Sequence, residues 1–295
     1  MPVPVPPSAR SRHGRTLIAA VLLGLLGACS SGGKDREPMG QFYAADSGTA
    51  AVGSLTQGIA QALPDPTGPI VIVYNHGTDW GGRFQDCEPG SMPGFLTRWT
   101  RKGLAGHEVV VFYLCTQEVE DRFVMGKARS QENEAVLDRL IAAGVPREHI
   151  FLFGHSGGAS ATLLTAERAS GKFNSAVVSA PGYGFAWLES RGESYTWMAV
   201  EYDKWRSRLA GAHDMSALVL LYEGDIYGPP GDAVFLAGLP QVEVVTVRDI
   251  EGDGVLCIDE PEAHFYWWSA CFRRGELKEV KAFVLDRLEH RAWLP

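Results

Sequence analysis

The stretch Ile150-Phe-Leu-Phe-Gly-His-Ser-Gly-Gly-Ala159 is the most informative part of the sequence, because it joins an apolar strand-like run to a helix-like segment rich in small residues. The join is Gly154-His155-Ser156-Gly157-Gly158, a G-x-S-x-G pattern. So sharp a turn strains the backbone at the serine, and a side chain two residues before or after it would collide with the adjacent strand or helix. Glycine fits at both places. The serine oxygen is then held above a helix start, where backbone N–H groups favour a developing negative charge.

Apolar strand-like runs alternate with helical patterns on both sides of this stretch. The predicted strands lie near residues 70–74, 108–115, 149–153, 176–180, 217–222 and 242–248, and the predicted helices near 93–102, 136–141, 157–170 and 276–289. Short, nearly all-apolar strands separated by helices indicate a mostly parallel sheet covered on both faces. We therefore expect a doubly wound α/β fold, in which ligands bind at the carboxyl ends of the strands.

In this strand-turn-helix setting, the G-x-S-x-G pattern resembles the nucleophile elbow of the α/β-hydrolase superfamily. The resemblance covers about residues 66 to 290 and implies a serine hydrolase with Ser156 as nucleophile. Gly154, His155 and Gly158 would complete the elbow. The alternative is a glycine-rich turn that carries an incidental serine.

The resemblance also implies an oxyanion loop after an early strand. Tyr74-Asn-His-Gly-Thr78 looks like the His-Gly-x turn of the superfamily. The oxyanion donors would then be the backbone N–H groups of Thr78 and of Gly157, the residue after the nucleophile. We expect His76 to be structural, packing or hydrogen-bonding within the loop.

Two further residues would complete a triad. Asp225 resembles the acid of the superfamily in position, because it follows the end of the predicted strand at 217–222. The superfamily more often has two residues between the glycine and the aspartate, whereas none intervenes in Glu223-Gly224-Asp225, so Glu223 and Asp232 remain alternatives. His264 fits the place of the triad histidine, in the loop between the last strand and the C-terminal helix. The order Ser156, Asp225, His264 is the one that this fold uses.

This resemblance implies hydrolysis of carboxylic esters through an acyl-enzyme intermediate, without a cofactor or metal. The substrate would be a small molecule or an acyl ester. The chain looks most similar to the compact dienelactone-hydrolase and acyl-esterase group, and its short length favours an esterase. A serine peptidase or amidase of the same fold is the second hypothesis, and a non-catalytic envelope lipoprotein is the third.

An aromatic-rich insertion spans about Gly182 to His213, where hydrolases of this type carry a lid or cap. Its aromatic residues are Tyr183, Phe185, Trp187, Tyr195, Trp197, Tyr202 and Trp205. Such side chains either line an acyl or aryl pocket or belong to helices that cover the core, and the sequence favours neither reading over the other.

The N-terminus predicts export. A basic leader precedes an apolar run over residues 16–28, which is too short for the roughly 20 residues of a spanning helix. Its end, Leu26-Gly27-Ala28-Cys29, resembles a bacterial lipoprotein signal, so we expect residues 1–28 to be removed and Cys29 to be acylated.

Residues 29–65 would be a tether and lead-in, and 66–295 the hydrolase domain. Ser30 favours the outer membrane; an ordinary secretory peptide is the alternative.

The charge limits the class of partner, and the cysteine content fits an exported protein. The chain carries 35 acidic and 27 basic residues, a formal net charge of −8, which argues against nucleic acid as a partner. Four cysteines remain after Cys29, and their spacings give little support for a zinc site. We expect two disulfides, with Cys257–Cys271 closing the loop that carries His264 and Cys87 pairing with Cys115. Four unpaired thiols are the alternative.

Overall fold

The apolar runs of the sequence form the strands of a central sheet in the computed structural model. The structure describes residues 37–45, 55–77, 92–115, 125–182, 196–248, 251–252, 255–256 and 262–290. The main strands are β1 Met39–Tyr43, β2 Ile70–Asn75, β3 Val109–Cys115, β4 Ile150–His155, β5 Ser175–Ser179, β6 Ala217–Tyr222 and β7 Val242–Val247. A short antiparallel pair follows, β8 Glu251–Gly252 and β9 Val255–Leu256.

Within the described residues, the sheet has seven strands in the order β1-β3-β2-β4-β5-β6-β7. β1 is antiparallel to β3, and all the other neighbours are parallel. The chain turns from β2 to β3 on one side and then crosses back to β4 on the other side of β2. This reversal places the topological switch point at the carboxyl ends of β2 and β4, where Asn75 is paired with Gly154.

Helices cover both faces of the sheet. They are α1 Leu55–Ala62, α2 Gly94–Lys102, α3 Met125–Ala142, α4 Gly157–Ala169, α5 Thr196–Ala210, α6 Pro230–Ala233, α7 Ala270–Arg274 and α8 Leu277–His290. None of the helices in the described part of the chain is long and apolar enough to span a membrane.

Alternate residues of each strand face opposite sides of the sheet. In β2, Val71 and Val73 face α1, α3, α4 and α5, whereas Ile70, Ile72 and Tyr74 face α2, α7 and α8. Every residue of β2 is buried, as expected for a strand with helices on both faces. Helix α4 is buried along almost its whole length, because small residues such as Ala159 and Ala161 let it approach the sheet closely.

The predicted α/β class and nearly all the predicted elements are confirmed. The sheet nevertheless begins at Met39, within the segment 29–65 that the sequence assigned to a tether and lead-in. β1 pairs with β3 over its whole length, and Leu55 and Ile59 of α1 are buried in the core. Helix α3 also starts at Met125, well before the apolar repeat from Val136 that predicted it.

The described aromatic residues of the predicted cap belong to the core. Trp205 of α5 is buried, stacks with Tyr202 at a ring distance of 5.7 Å and meets Phe235 edge-on at 6.1 Å. Both residues pack with the cluster on the α3–α4 side of the sheet. For these two side chains the core-covering interpretation is therefore correct. Residues 183–195 lie outside the described part.

Candidate active site

The loop from β4 to α4 turns sharply at Ser156. Its φ of 54° and ψ of −124° lie in a region that residues with a Cβ rarely adopt. The N–H of Ser156 donates to Ser179 O at 3.1 Å, and the N–H of Ser160 donates to Ser156 O, also at 3.1 Å. Its backbone is thus tied to β5 on one side and to α4 on the other. Ser156 is partly exposed, although its neighbour His155 is buried.

The two glycines that flank Ser156 are required by steric contacts. A Cβ at Gly154 would lie 2.5 Å from Thr162 Oγ1 and 2.6 Å from Gly158 O. A Cβ at Gly158 would overlap the backbone oxygens of Asn75 and His76. A side chain at either position would therefore collide with its neighbours, as expected from the sequence. At Gly158 the collision would be with the end of β2. The start of α4 thus packs directly on the predicted oxyanion loop.

That loop also lies against the serine itself. A Cβ at Gly77 would be 3.2 Å from Ser156 Cβ, so the absence of a side chain at Gly77 allows the close approach. Gly77 and Gly157 are both partly exposed. As the first residue of α4, Gly157 has an N–H without an acceptor in its own helix. Thr78, the other predicted oxyanion donor, lies outside the described residues.

Asp225 and His264 form a buried pair. His264 Nδ1 lies 2.9 Å from both carboxylate oxygens of Asp225. Oδ1 also accepts the backbone N–H groups of Tyr227 at 2.8 Å and Gly228 at 3.1 Å. Only 3% of Asp225 and 4% of His264 is exposed. A buried carboxylate is costly unless it is hydrogen-bonded, and these donors compensate for its loss of water.

The turn after β6 explains why no residues are needed between Gly224 and Asp225. Gly224 has a φ of 86°, a left-handed conformation that favours glycine, and the N–H of Asp225 returns to Tyr222 O at 3.2 Å. Of the alternative acids, Glu223 is exposed, whereas Asp232 lies in α6, where its backbone oxygen accepts the hydroxyl of Tyr202. The carboxylate at His264 is that of Asp225.

His155 links the serine turn to the Asp225–His264 pair. Its ring lies 4.8 Å from the ring of His264 and meets Trp268 edge-on at 4.5 Å. Burial lowers the pKa of His155 well below its usual range, and the neighbouring His264 lowers it further. His155 is therefore neutral at neutral pH and adds no charge beside His264. Ser156 is the next residue after His155 in the chain.

Arg129 was not singled out by the sequence, yet it contacts the predicted oxyanion loop. It is completely buried on α3. Nη1 donates to the backbone oxygen of His76, and Nη2 lies 3.5 Å from His76 Nε2. The sequence does contain a signal that could have identified this position. Buried residues recur at helical spacing along α3, namely Arg129, Asn133, Val136 and Leu140. The arginine thus lies on the buried stripe of its helix.

The remaining predicted sites are described only in part. Cys115 and Cys271 are each disulfide-bonded. Cys87 and Cys257, their predicted partners, lie outside the described residues, as does Cys29, so the pairing and the acylation stay predictions. Among the described side chains, no group of three or more His, Cys, Asp or Glu residues is placed to hold a metal ion.

Comparison with known proteins identifies the fold. No family model matches the chain, and no curated protein matches it by sequence. Among solved structures, the chain is similar to dipeptidyl peptidase 4 of Porphyromonas gingivalis, with a TM-score of 0.54 and 15% identity. That match covers 76% of this chain and 32% of the peptidase.

Two other structures give similar scores. A puromycin-hydrolyzing peptidase of Mycobacterium tuberculosis has a TM-score of 0.55 at 14% identity, over 86% of this chain and 40% of that one. DcsB, solved with its substrate analogue, has a TM-score of 0.56 at 13% identity. That match covers 85% of this chain and 95% of DcsB. The chain therefore spans less than half of the two peptidases. Together with the sheet order, these matches show that the chain has the α/β-hydrolase fold.

Replacing Gly158 should damage both stability and the site. Gly158→Ala places a Cβ against the backbone oxygens of Asn75 and His76, and overpacking of this kind costs about 1–3 kcal/mol. The free energy of unfolding, measured by urea denaturation, should fall by that amount. Gly171→Ala is the matched control, because a Cβ there meets nothing within 4 Å. Equal stability of the two variants would contradict the close packing of α4 on the oxyanion loop.

Proposed function

We propose that this protein is a serine hydrolase in which Ser156, His264 and Asp225 form the catalytic triad. The observation that carries the proposal is the pairing of two features at one end of the sheet. A serine in a left-handed conformation immediately precedes α4, and a buried Asp–His pair lies against the residue before that serine. The α/β-hydrolase fold supports this reading by its strand order. Ser156 follows β4, Asp225 follows β6, and His264 lies beyond β7, the last strand of the seven-stranded sheet.

The hydrogen bonds of Asp225 define the proton positions in this mechanism. A carboxylate only accepts, so Nδ1 of His264 carries a proton and Nε2 has a free lone pair. Nε2 takes the proton of Ser156 as its oxygen attacks the carbonyl carbon of the substrate. The imidazolium then gives this proton to the departing alcohol, and an acyl-enzyme remains. Water, deprotonated by His264, releases the acid and restores Ser156.

The negative charge that forms on the carbonyl oxygen of the substrate must be stabilised by hydrogen-bond donors. The N–H of Gly157 at the start of α4 is one, and the predicted N–H of Thr78 is the other. Asp225 stays ionised throughout, holds the imidazole ring in place and stabilises the imidazolium. Each step therefore uses groups of this chain and water alone.

We propose carboxylic esters as the substrates, with an apolar group near the leaving alcohol. Two apolar side chains beside the pair are exposed, Ile226 by 39% and Phe265 by 52%. The ring of Phe265 meets that of His264 edge-on at 5.3 Å. Because His264 protonates the leaving group, Phe265 is placed to contact it. Peptide or amide hydrolysis is the second candidate, since two of the similar structures are named peptidases.

A panel of substrates tests this function. We expect p-nitrophenyl esters to be hydrolysed faster than aminoacyl anilides, and Ser156→Ala to lower kcat/KM by several orders of magnitude without loss of folding. Ser207→Ala, an exposed serine of α5, is the control and should behave as wild type. Faster anilide cleavage would select the peptidase candidate. Unchanged turnover in a folded Ser156→Ala variant would overturn the assignment of the nucleophile.

The assignment of Asp225 as the triad acid can be tested by substitutions in the turn after β6. Asp225→Asn should lower kcat by about 10⁴-fold, because an amide cannot hold His264 in the tautomer with a proton on Nδ1. Glu223→Gln is the matched control, two residues away and exposed, and should change kcat less than about threefold. Circular dichroism checks that both variants are folded. A larger loss in Glu223→Gln than in Asp225→Asn would contradict the triad.

We further propose that the protein is exported and anchored by an acyl group on Cys29. An acyl chain contributes about 0.8 kcal/mol for each CH₂ buried in the bilayer. Cys29→Ser should therefore move the protein from the membrane fraction to the soluble fraction of bacteria that express the full chain, whereas Ser31→Ala should leave it in the membrane fraction. Immunoblotting of the fractions measures this. Equal distribution of both variants would contradict the lipoprotein assignment.

A further inference from the structure

A short segment at the end of β5 contacts both the serine turn and the helix that follows it. We call residues 179–182 the crossing segment. The backbone oxygen of Ser179 accepts the N–H of Ser156 at 3.1 Å. At the other end of the segment, the backbone oxygen of Gly182 accepts the hydroxyl of Ser160 on α4 at 3.3 Å. Hydrogen bonds to the serine turn and to α4 therefore hold the crossing segment at both of its ends.

The crossing segment also touches the turn that carries Asp225. A Cβ at Gly182 would lie 2.7 Å from Tyr227 O and 3.0 Å from Gly228 Cα. A Cβ at Gly228 would in turn lie 2.6 Å from Pro181 O. Ordinary van der Waals contact of a Cβ begins at 3.4 Å. The two backbones therefore cross with no room for a side chain on either of them.

The same turn holds the acid of the proposed triad. The backbone N–H groups of Tyr227 and Gly228 donate to Asp225 Oδ1 at 2.8 and 3.1 Å, and His264 Nδ1 lies on this carboxylate. Gly228 is thus in contact with the crossing segment and hydrogen-bonded to the acid. A continuous series of backbone contacts leads from Ser156 through the crossing segment and Gly228 to Asp225.

The crossing segment is itself held in an uncommon conformation. Ala180 has a φ of 50°, and among the described residues other than glycine only Ser156 and Ala105 also have a positive φ. Ala180 is completely buried, and its N–H donates to Leu220 O of β6 at 2.9 Å. A conformation of this kind persists only where the surrounding structure imposes it. The position of the segment is therefore fixed by β6 as well as by the serine turn.

We propose that Gly182 and Gly228 are positioning residues whose backbone contact sets the separation between Ser156 and the Asp225–His264 pair. Proton transfer from the serine requires this separation to allow a hydrogen bond to His264. The proposal rests on the proposed function, because it concerns the distance between the nucleophile and the base of that triad. Both glycines act through other residues and not on the substrate.

Backbone conformation alone gives no reason for glycine at these two positions. Neither Gly182 nor Gly228 has a positive φ, unlike Gly224 in the same turn. The close approach of the two backbones is the reason. To admit a Cβ, they would have to separate by roughly 1 Å, and a displacement of about 1 Å in a catalytic group can lower the rate about a hundredfold.

Kinetics separate positioning from a general structural role. Gly182→Ala and Gly228→Ala should each lower kcat about a hundredfold while KM changes less than about threefold, because a displaced base slows proton transfer without removing a substrate contact. Gly231→Ala, shortly after Gly228, is the matched control and should keep wild-type kcat, since a Cβ there meets nothing within 4 Å. Turnover of p-nitrophenyl esters is measured on variants that circular dichroism shows to be folded.

Other outcomes overturn the proposal. Wild-type kcat in folded Gly228→Ala would do so, and so would a loss confined to KM. If neither glycine variant folds, Ser160→Ala provides the kinetic test, because it removes only the hydroxyl that holds Gly182 O. It should lower kcat about fivefold, the effect of one net hydrogen bond, and wild-type kcat in this variant would then contradict the proposal.

An NMR measurement tests the geometry independently of turnover. The Nδ1–H of His264, hydrogen-bonded to Asp225, should give a low-field proton signal in the wild type and in Gly231→Ala. In Gly228→Ala this signal should shift, because the backbone N–H at position 228 is one of the donors to Asp225 Oδ1. An unchanged signal in Gly228→Ala would contradict the proposal even if activity falls. Absence of turnover in the wild type with the low-field signal intact would instead contradict the proposed function.

Discussion

Ser156 occupies a left-handed conformation that costs on the order of 1–3 kcal/mol and persists only where the surrounding structure imposes it. Here the constraint comes from three sides. β5 accepts the N–H of Ser156, α4 donates to its oxygen, and the end of β2 fills the space beside Gly158. The strand-to-helix turn, the predicted oxyanion loop and the helix start are therefore a single packed unit.

Three buried histidines occupy different electrostatic environments within this unit. His264 is bound to the carboxylate of Asp225, whose remaining lone pairs face backbone N–H groups. His155 and His76 are kept neutral by burial, and His76 also by the charge of Arg129. Of these three rings, only that of His264 is hydrogen-bonded to a carboxylate. In the proposed mechanism this difference directs the proton of Ser156 to one acceptor, as general base catalysis requires.

Most of the fold could be predicted from the sequence, because fully buried parallel strands require continuous apolar runs such as residues 70–74 and 217–222. The serine turn was equally visible, since its glycines are a steric necessity. β1 was missed because Met39–Tyr43 is a short strand whose place at the sheet edge depends on pairing with β3. Arg129 was missed because a charged residue is normally expected on the exposed side of a helix. Its partner is 53 residues away, and only the folded chain brings the two together.

The proposed function requires that one serine of this chain be chemically activated. A fluorophosphonate reacts with such a serine and leaves ordinary serines unmodified, so the most direct measurement is the site of its adduct. The protein would be treated with the probe in its native state and in urea, then digested and mapped by tandem mass spectrometry. We expect a stoichiometric adduct on Ser156 in the native state and none after unfolding. An adduct on another serine, or no adduct in the native protein, would contradict it.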